Sequence, residues 1–393
     1  MLKNTIFQIL LIFTLAIVEM ATDVYTPSLP LLKKFFMVDE DMVQLTISLN
    51  LLGIAISGFF YGPLSDSYGR KRLMLGGITI FFLGSFVCAF AADIWTLIAA
   101  RFLQGIGAGC AWVLALAMVG DSYEKEESLK IISLLGITMS LSPAISPSLG
   151  SVIGEFFGWQ TNFVILTVIS GVLIFFLWKF LPETLETQQR HPFSLNKIAQ
   201  RAGEVLRNKI FLSNALISGF IFASLWSFIA TAPFVFDLMG VHQIHFGLYT
   251  LLVVSFYGVG AVINRYSLNY VTSGTLTFVG LLGTLLGGII LFWVSQSPHQ
   301  SLTVILGVVG IYTFFMSFVF SNVASMAIDS VESSLGIASS MMSGIEMIMA
   351  AITICLVGTH KSTDFSYVAL GFIFSSIMSI IVFKILSSYQ QQK

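Results

Sequence analysis

Four charged residues lie deep inside apolar stretches of this 393-residue chain: Glu19, Asp23, Arg101 and Glu346. A charge at the centre of a bilayer costs about 2.5–3.5 kcal/mol on insertion scales, so each needs a counter-charge, a watery cavity or a function. Glu19 and Asp23 are four residues apart in one apolar stretch, so on a helix they share a face. Two desolvated carboxylates side by side, with a cation in reach, form a site whose protonation depends on the neighbouring charge. Such a site can load and release protons. The plainer arrangement is a static ion pair of Asp23 with Arg101 tying two helices together, and the residues alone leave both open. Glu346 is flanked by Met342, Met347 and Met349. It suits a bound ligand, a partner charge across a cavity, or a face turned to a water-filled vestibule.

The elements that position these groups are expected to be membrane helices. The chain is 56% hydrophobic and 10% charged, against about 25% charged in soluble domains. It cannot cover itself with polar surface. The net charge of −1, with few and scattered basic residues, gives no face for nucleic acid. A span needs about 20 apolar residues. Twelve stretches qualify, at 5–32, 43–63, 73–92, 95–120, 129–154, 161–181, 211–236, 245–264, 273–295, 301–326, 335–358 and 365–387. The first, from Thr5 to Leu32, exceeds a signal-peptide core and reads as a span that Pro27 and Pro30 bring to an end. With the N-terminus in the cytoplasm, all but four of the 19 Lys and Arg fall inside: Lys33, Lys34 and Lys361 fall outside, and Arg101 lies within a span. The positive-inside rule then places both termini in the cytoplasm.

The longest connection, 182–210, divides the chain into six-span halves, 1–181 and 211–393. Its Leu195–Leu206 segment is a basic amphipathic helix, expected to lie on the membrane surface. Pro27 near the end of span one and Pro233 near the end of span seven hint at a duplication. Cys88, Cys110 and Cys355 fall in apolar segments as packing residues. The five histidines, His191, His242, His245, His299 and His360, fall in loops or at span ends. No metal-ligand set, nucleophile with a base, or phosphate loop emerges, so neither a metal nor a cofactor nor an enzyme activity is expected.

Between spans two and three stands Gly62-Pro-Leu-Ser-Asp66-Ser-Tyr-Gly69-Arg70-Lys71-Arg72. It reads as a tight cytoplasmic turn in which Gly62 and Gly69 free the backbone and Asp66 caps a helix or pairs with the basic triplet. The pattern resembles the signature loop of the major facilitator superfamily. There the loop latches the cytoplasmic ends of the two halves, which implies a conformational role for Gly62, Asp66, Gly69 and Arg70. Span four carries Arg101-Phe-Leu-Gln104-Gly105-Ile-Gly107-Ala-Gly109, whose glycines allow another helix to approach closely. It resembles the superfamily's fourth-helix motif, in which the arginine supports proton coupling. In span five, Pro143 and Pro147 remove backbone donors and bend the helix, with Gly150 beyond them. This is similar to the antiporter signature of drug/proton exporters, with Ser142 where glycine usually stands.

The Thr22-Asp23-Val24-Tyr25-Thr26-Pro27-Ser28-Leu29-Pro30 stretch, the paired prolines, Trp159 and Leu181-Pro182-Glu183-Thr184 together resemble the bicyclomycin-resistance (Bcr/CflA) branch of those exporters. Asp23 sits where that motif places an acid, whereas Glu19 rests on helix geometry alone. The likeness covers nearly the whole N-terminal half. In the C-terminal half it rests on span count and spacing, with Asn264-Arg265-Tyr266 a degenerate second copy of the loop.

The resemblance implies an all-α membrane protein of the major facilitator fold, with 12 spans in two six-helix bundles. It implies a monomer in the cytoplasmic membrane that exports a small organic compound (drug, metabolite or metal chelator) in exchange for protons by alternating access. Asp23, Glu19 and Arg101 would couple the protons. Polar or aromatic residues within spans are the cavity candidates: Tyr25, Asn50, Trp112, Trp226, Tyr257, Asn322 and Glu346. A proton-coupled or facilitative importer of a metabolite is the alternative, with the span-five prolines then incidental. An intramembrane enzyme is disfavoured because no catalytic set is present.

Overall fold

The first apolar stretch does not stop at its prolines. In the computed structural model, which describes residues 2–190, 192–297, 301–331, 335–360 and 364–391, helix α1 (Leu2–Asp23) gives way to a single 3-10 turn at Thr26–Ser28. Helix α2 (Leu29–Phe36) then restarts with Pro30 in its first turn, where a missing N–H has no partner to lose. The prolines interrupt the span, and it runs on to Phe36. His191, His299 and Lys361 lie outside the described residues.

The chain continues as α3 (Glu40–Tyr68), α4 (Arg70–Ala89), α5 (Ile94–Ala108), α6 (Cys110–Ser122), α7 (Lys125–Phe157) and α8 (Trp159–Phe180). Then come the linker helix α9 (Leu195–Arg207) and α10 (Lys209–Leu238), α11 (Gln243–Ser267), α12 (Ser273–Ser295), α13 (Leu302–Asp329), α14 (Leu335–Gly358) and α15 (Ser366–Gln391). Among the described residues there is no strand, and 12 stretches are long and apolar enough to cross a membrane. Span four is two helices, α5 and α6, meeting at Gly109.

The helices form two compact units, residues 1–200 and 201–393. In the first, α3 packs on α5, α4 on both α5 and α8, and α1 on both α7 and α8. In the second, α11 packs on α13, α12 on both α13 and α15, and α10 on both α14 and α15. Counted by span, each of these pairings in one unit has its counterpart in the other, which is the mark of an internal duplication.

The expectation for α9 is corrected. Ile198, Ala202 and Val205, the face expected to meet lipid, are buried in protein. Val205 belongs to the apolar core of the second unit with Phe211 and Ala215.

In the first unit, glycines bring α3 and α5 into backbone contact. A methyl at Gly53 would lie 2.6 Å from the Phe102 carbonyl oxygen, and one at Gly105 would overlap the Asn50 carbonyl. Small residues let membrane helices gain the close packing that lipid cannot provide. This contact fixes α5, and Arg101 with it. A Gly105→Ala variant is expected to lose about 1–3 kcal/mol through overpacking, read as a lower Tm of the purified protein; an unchanged Tm contradicts the account.

Candidate functional site

Arg101 is fully enclosed, with no exposed surface. Its Nη1 donates to the Ala21 carbonyl at 3.1 Å and to Gln104 Oε1 at 2.5 Å. Gln104 Nε2 in turn donates to Ser85 Oγ at 2.7 Å. The Tyr25 ring lies under the guanidinium, 4.3 Å from its carbon, with the Phe163 ring at 5.9 Å. An aromatic face attracts such a cation most when water is excluded. The Tyr25 hydroxyl is taken up by Thr46 Oγ1 at 2.9 Å, and Asn50 Nδ2 donates to the Arg101 carbonyl at 2.9 Å. Tyr25 and Asn50 therefore serve the arginine in this conformation and present little or no surface to an open cavity.

The other edge of the guanidinium behaves differently. Nε and Nη2, which together form the fork that fits a carboxylate, have no hydrogen-bond partner among the described residues. Asp23 is the last residue of α1, two positions beyond the Ala21 carbonyl that Arg101 grips, and is 5% exposed. Its charge and those of Arg101 and Glu19 act on one another. Yet no ion pair joins Asp23 to Arg101. Glu19, one turn earlier, is half-buried. The static ion pair that the sequence left open is absent from this conformation.

The proline-bearing helix lies directly against the acid-bearing one. Pro143 and Pro147 sit inside the continuous helix α7, leaving the carbonyls four residues before each without their helical donor. Ser142 Oγ donates to the Ala16 carbonyl at 3.4 Å, and a methyl at Gly150 would overlap the Val24 carbonyl beside Asp23. Only a glycine at position 150 lets α7 press on the end of α1.

The loop between α3 and α4 is tighter than its motif suggested. Gly62 lies within α3, and the turn is made by Gly69 alone, at φ +98. Asp66, in the last turn of α3, pairs with Arg70 Nη1 at 2.5 Å. Arg70 Nε pairs with Asp121 at 3.0 Å, and Nη1 also donates to Ser65 Oγ at 2.5 Å. The Arg70 backbone N–H, at the start of α4, donates to Glu183 Oε1 at 2.8 Å. Glu183 also pairs with Arg190 at 3.7 Å, while Thr184 Oγ1 donates to Asp121 at 3.1 Å. Glu183 thus caps α4 from the far end of the unit's sequence, and a methyl at Gly69 would overlap its carboxylate. Sequence reading assigned no role to Asp121 or Glu183. The Leu-Pro-Glu-Thr run after span six was the signal, and its partner 113 residues away was not visible.

In the second unit, Ser218 Oγ donates to Glu346 Oε1 at 2.5 Å, joining α10 to α14. Tyr257 is half-buried and packs against the apolar core of the second unit. Asn322 exchanges two hydrogen bonds with Asn264, at 3.1 and 3.2 Å. Trp226 is buried with Phe222 beside it, and Trp112 is half-buried on α6. The structure therefore groups Glu19, Asp23, Tyr25, Asn50 and Arg101 in one unit and places Glu346 and Tyr257 in the other. Among the described residues, no three His, Cys, Asp or Glu side chains converge as metal ligands.

Losing the Glu183 cap in a Glu183→Ala variant is expected to cost about 1 kcal/mol, the usual worth of an N-cap. Thermal melting of the purified protein checks this, and a variant that melts with the wild type contradicts it.

Comparison with known proteins agrees with this geometry. The chain is 29% identical over 369 residues to the uncharacterised MFS-type transporter YdgK of Bacillus subtilis, covering 92% of this chain and 90% of that one. It is 26% identical over 361 residues to a bicyclomycin resistance protein homolog of Haemophilus influenzae, with 89% of each chain covered. The crystal structure of a D-xylose–proton symporter shares the fold, with a TM-score of 0.73 at 16% identity over 95% of this chain and 97% of that one. The Major Facilitator Superfamily model matches residues 11–354. This chain is a multi-pass membrane transporter and belongs to the major facilitator superfamily.

Proposed function

We propose that this chain is a proton-coupled exporter, exchanging protons for a small organic compound across the cytoplasmic membrane, with both termini in the cytoplasm. The observation that carries this reading is the position of Asp23 beside an arginine whose fork is unused. Arg101 is held by a carbonyl, an amide and an aromatic face, so Asp23 is free to gain and lose a proton without the helices coming apart. As a carboxylate it is drawn toward the free Nε and Nη2 edge. Two unit charges about 4 Å apart at an effective dielectric near 20 attract by about 4 kcal/mol. That is enough to hold one conformation of the α1 end over another. As a neutral acid it feels no such pull.

The cycle follows from that switch. Cargo enters from the cytoplasm while Asp23 is charged. A proton arriving from the outer side neutralises Asp23, with Glu19 as the second carboxylate of the pair, and the cargo leaves. Loss of the proton to the cytoplasm resets the site. Pressed against α1 through Gly150, α7 would carry the movement of that helix end into the rest of the first unit. Asp66, Gly69 and Arg70 would latch the cytoplasmic end between states, with Gly62 in the helix leading to them. The Haemophilus relative's name makes bicyclomycin the first cargo to try.

The test uses everted membrane vesicles energised to an acidic interior, with a dye reporting the proton gradient. Adding bicyclomycin, or a member of a panel of metabolites and chelators, is expected to release protons from wild-type vesicles. The Asp23→Asn variant should release at least about tenfold less, equivalent to about 1.4 kcal/mol of lost coupling. Transport by Asp23→Asn at the wild-type rate, with no proton release in either protein, would sink the proposal.

A further inference from the structure

We infer that the second unit carries a proton-binding site of its own, at the buried carboxyl of Glu346. This extends the proton-coupled reading above and does not depend on which cargo is moved.

Glu346 lies within α14 and is 7% exposed. Its one hydrogen bond among the described residues comes from a neutral hydroxyl, that of Ser218, and no cation pairs with it. The elements around it offer none. α10 presents Ser218 there and keeps its charged residues, Lys209 and Asp237, at its ends. The only charged residue of α13 is Asp329, at its C-terminus. Lys384 of α15 makes no ion pair with Glu346. A carboxylate taken from water with a single neutral donor is poorly compensated. A proton removes the charge and needs no room. It sits on Oε2 while Oε1 goes on accepting from Ser218.

The experiment is an infrared pH titration of the full-length protein in lipid, following the C=O stretch of protonated carboxyl groups. Wild type is compared with Glu346→Gln, Asp23→Asn and the double variant. Glu346→Gln, which keeps an acceptor for Ser218, is expected to melt near wild type and to lose one pH-dependent carboxyl band. Asp23→Asn is expected to lose a different one. A Glu346→Gln spectrum identical to wild type overturns the inference. So does loss of tetraphenylphosphonium binding in that variant without loss of a carboxyl band, which would make Glu346 a cation site. If Asp23→Asn removes no band while Glu346→Gln does, the Asp23 mechanism fails and this inference stands.

Discussion

A guanidinium sealed among apolar helices must have its charge balanced locally, and the first unit is built around how Arg101 meets that need. A buried carboxylate would be the simple answer, but breaking such a pair leaves an uncompensated charge costing about 3–5 kcal/mol. An acid locked into that role could not cycle a proton without unsettling the bundle. Here the Ala21 carbonyl, Gln104 and the Tyr25 face do the holding. The glycine contact between α3 and α5 places Arg101 and Gln104, and brings Asn50 to the Arg101 carbonyl. No ion pair ties Asp23 to that arginine.

The two units repeat one pattern of helix pairing and diverge in what they place at corresponding ends. In the first, the ends of α3 and α6 and the start of α4 are drawn together by Arg70, through Asp66 and Asp121. In the second, the matching ends of α11 and α13 and the start of α12 enclose a polar cavity. A neutral amide pair, Asn264 with Asn322, stands there along with Arg265 and Asp329. A charged lock resists water, and a cavity walled by amides and hydroxyls admits it. The duplication thus supplies two copies of one scaffold, one end joined by ion pairs and the matching end left as a polar cavity.

Much of this was legible in the residues. Twelve apolar stretches, the Gly62–Arg72 loop and the span-four and span-five motifs identify the fold and the family, because lipid leaves few ways to arrange such segments. What was not legible depends on tertiary contact. Opposite charges in a sequence invite pairing, so Asp23 and Arg101 looked like partners. Helix rotation and the nearness of a carbonyl, an amide and a ring decided otherwise. Gly62 looked like a turn residue, yet only Gly69 adopts positive φ. The amphipathic face of α9 matched a lipid-facing helix equally well, because periodicity records an apolar face and not what covers it. Asp121 and Glu183 could be found only once α4 had a start for them to hold.

The central claim is that Arg101 is held by neutral groups and not by Asp23, and it can be tested without a cargo. Thermal melting of the purified protein should show Asp23→Asn at least as stable as wild type. Gln104→Leu and Tyr25→Ala should both melt lower, each losing one of the arginine's supports. An Asp23→Asn protein destabilised by about 3–5 kcal/mol, the cost of stripping a buried ion of its partner, would contradict the account.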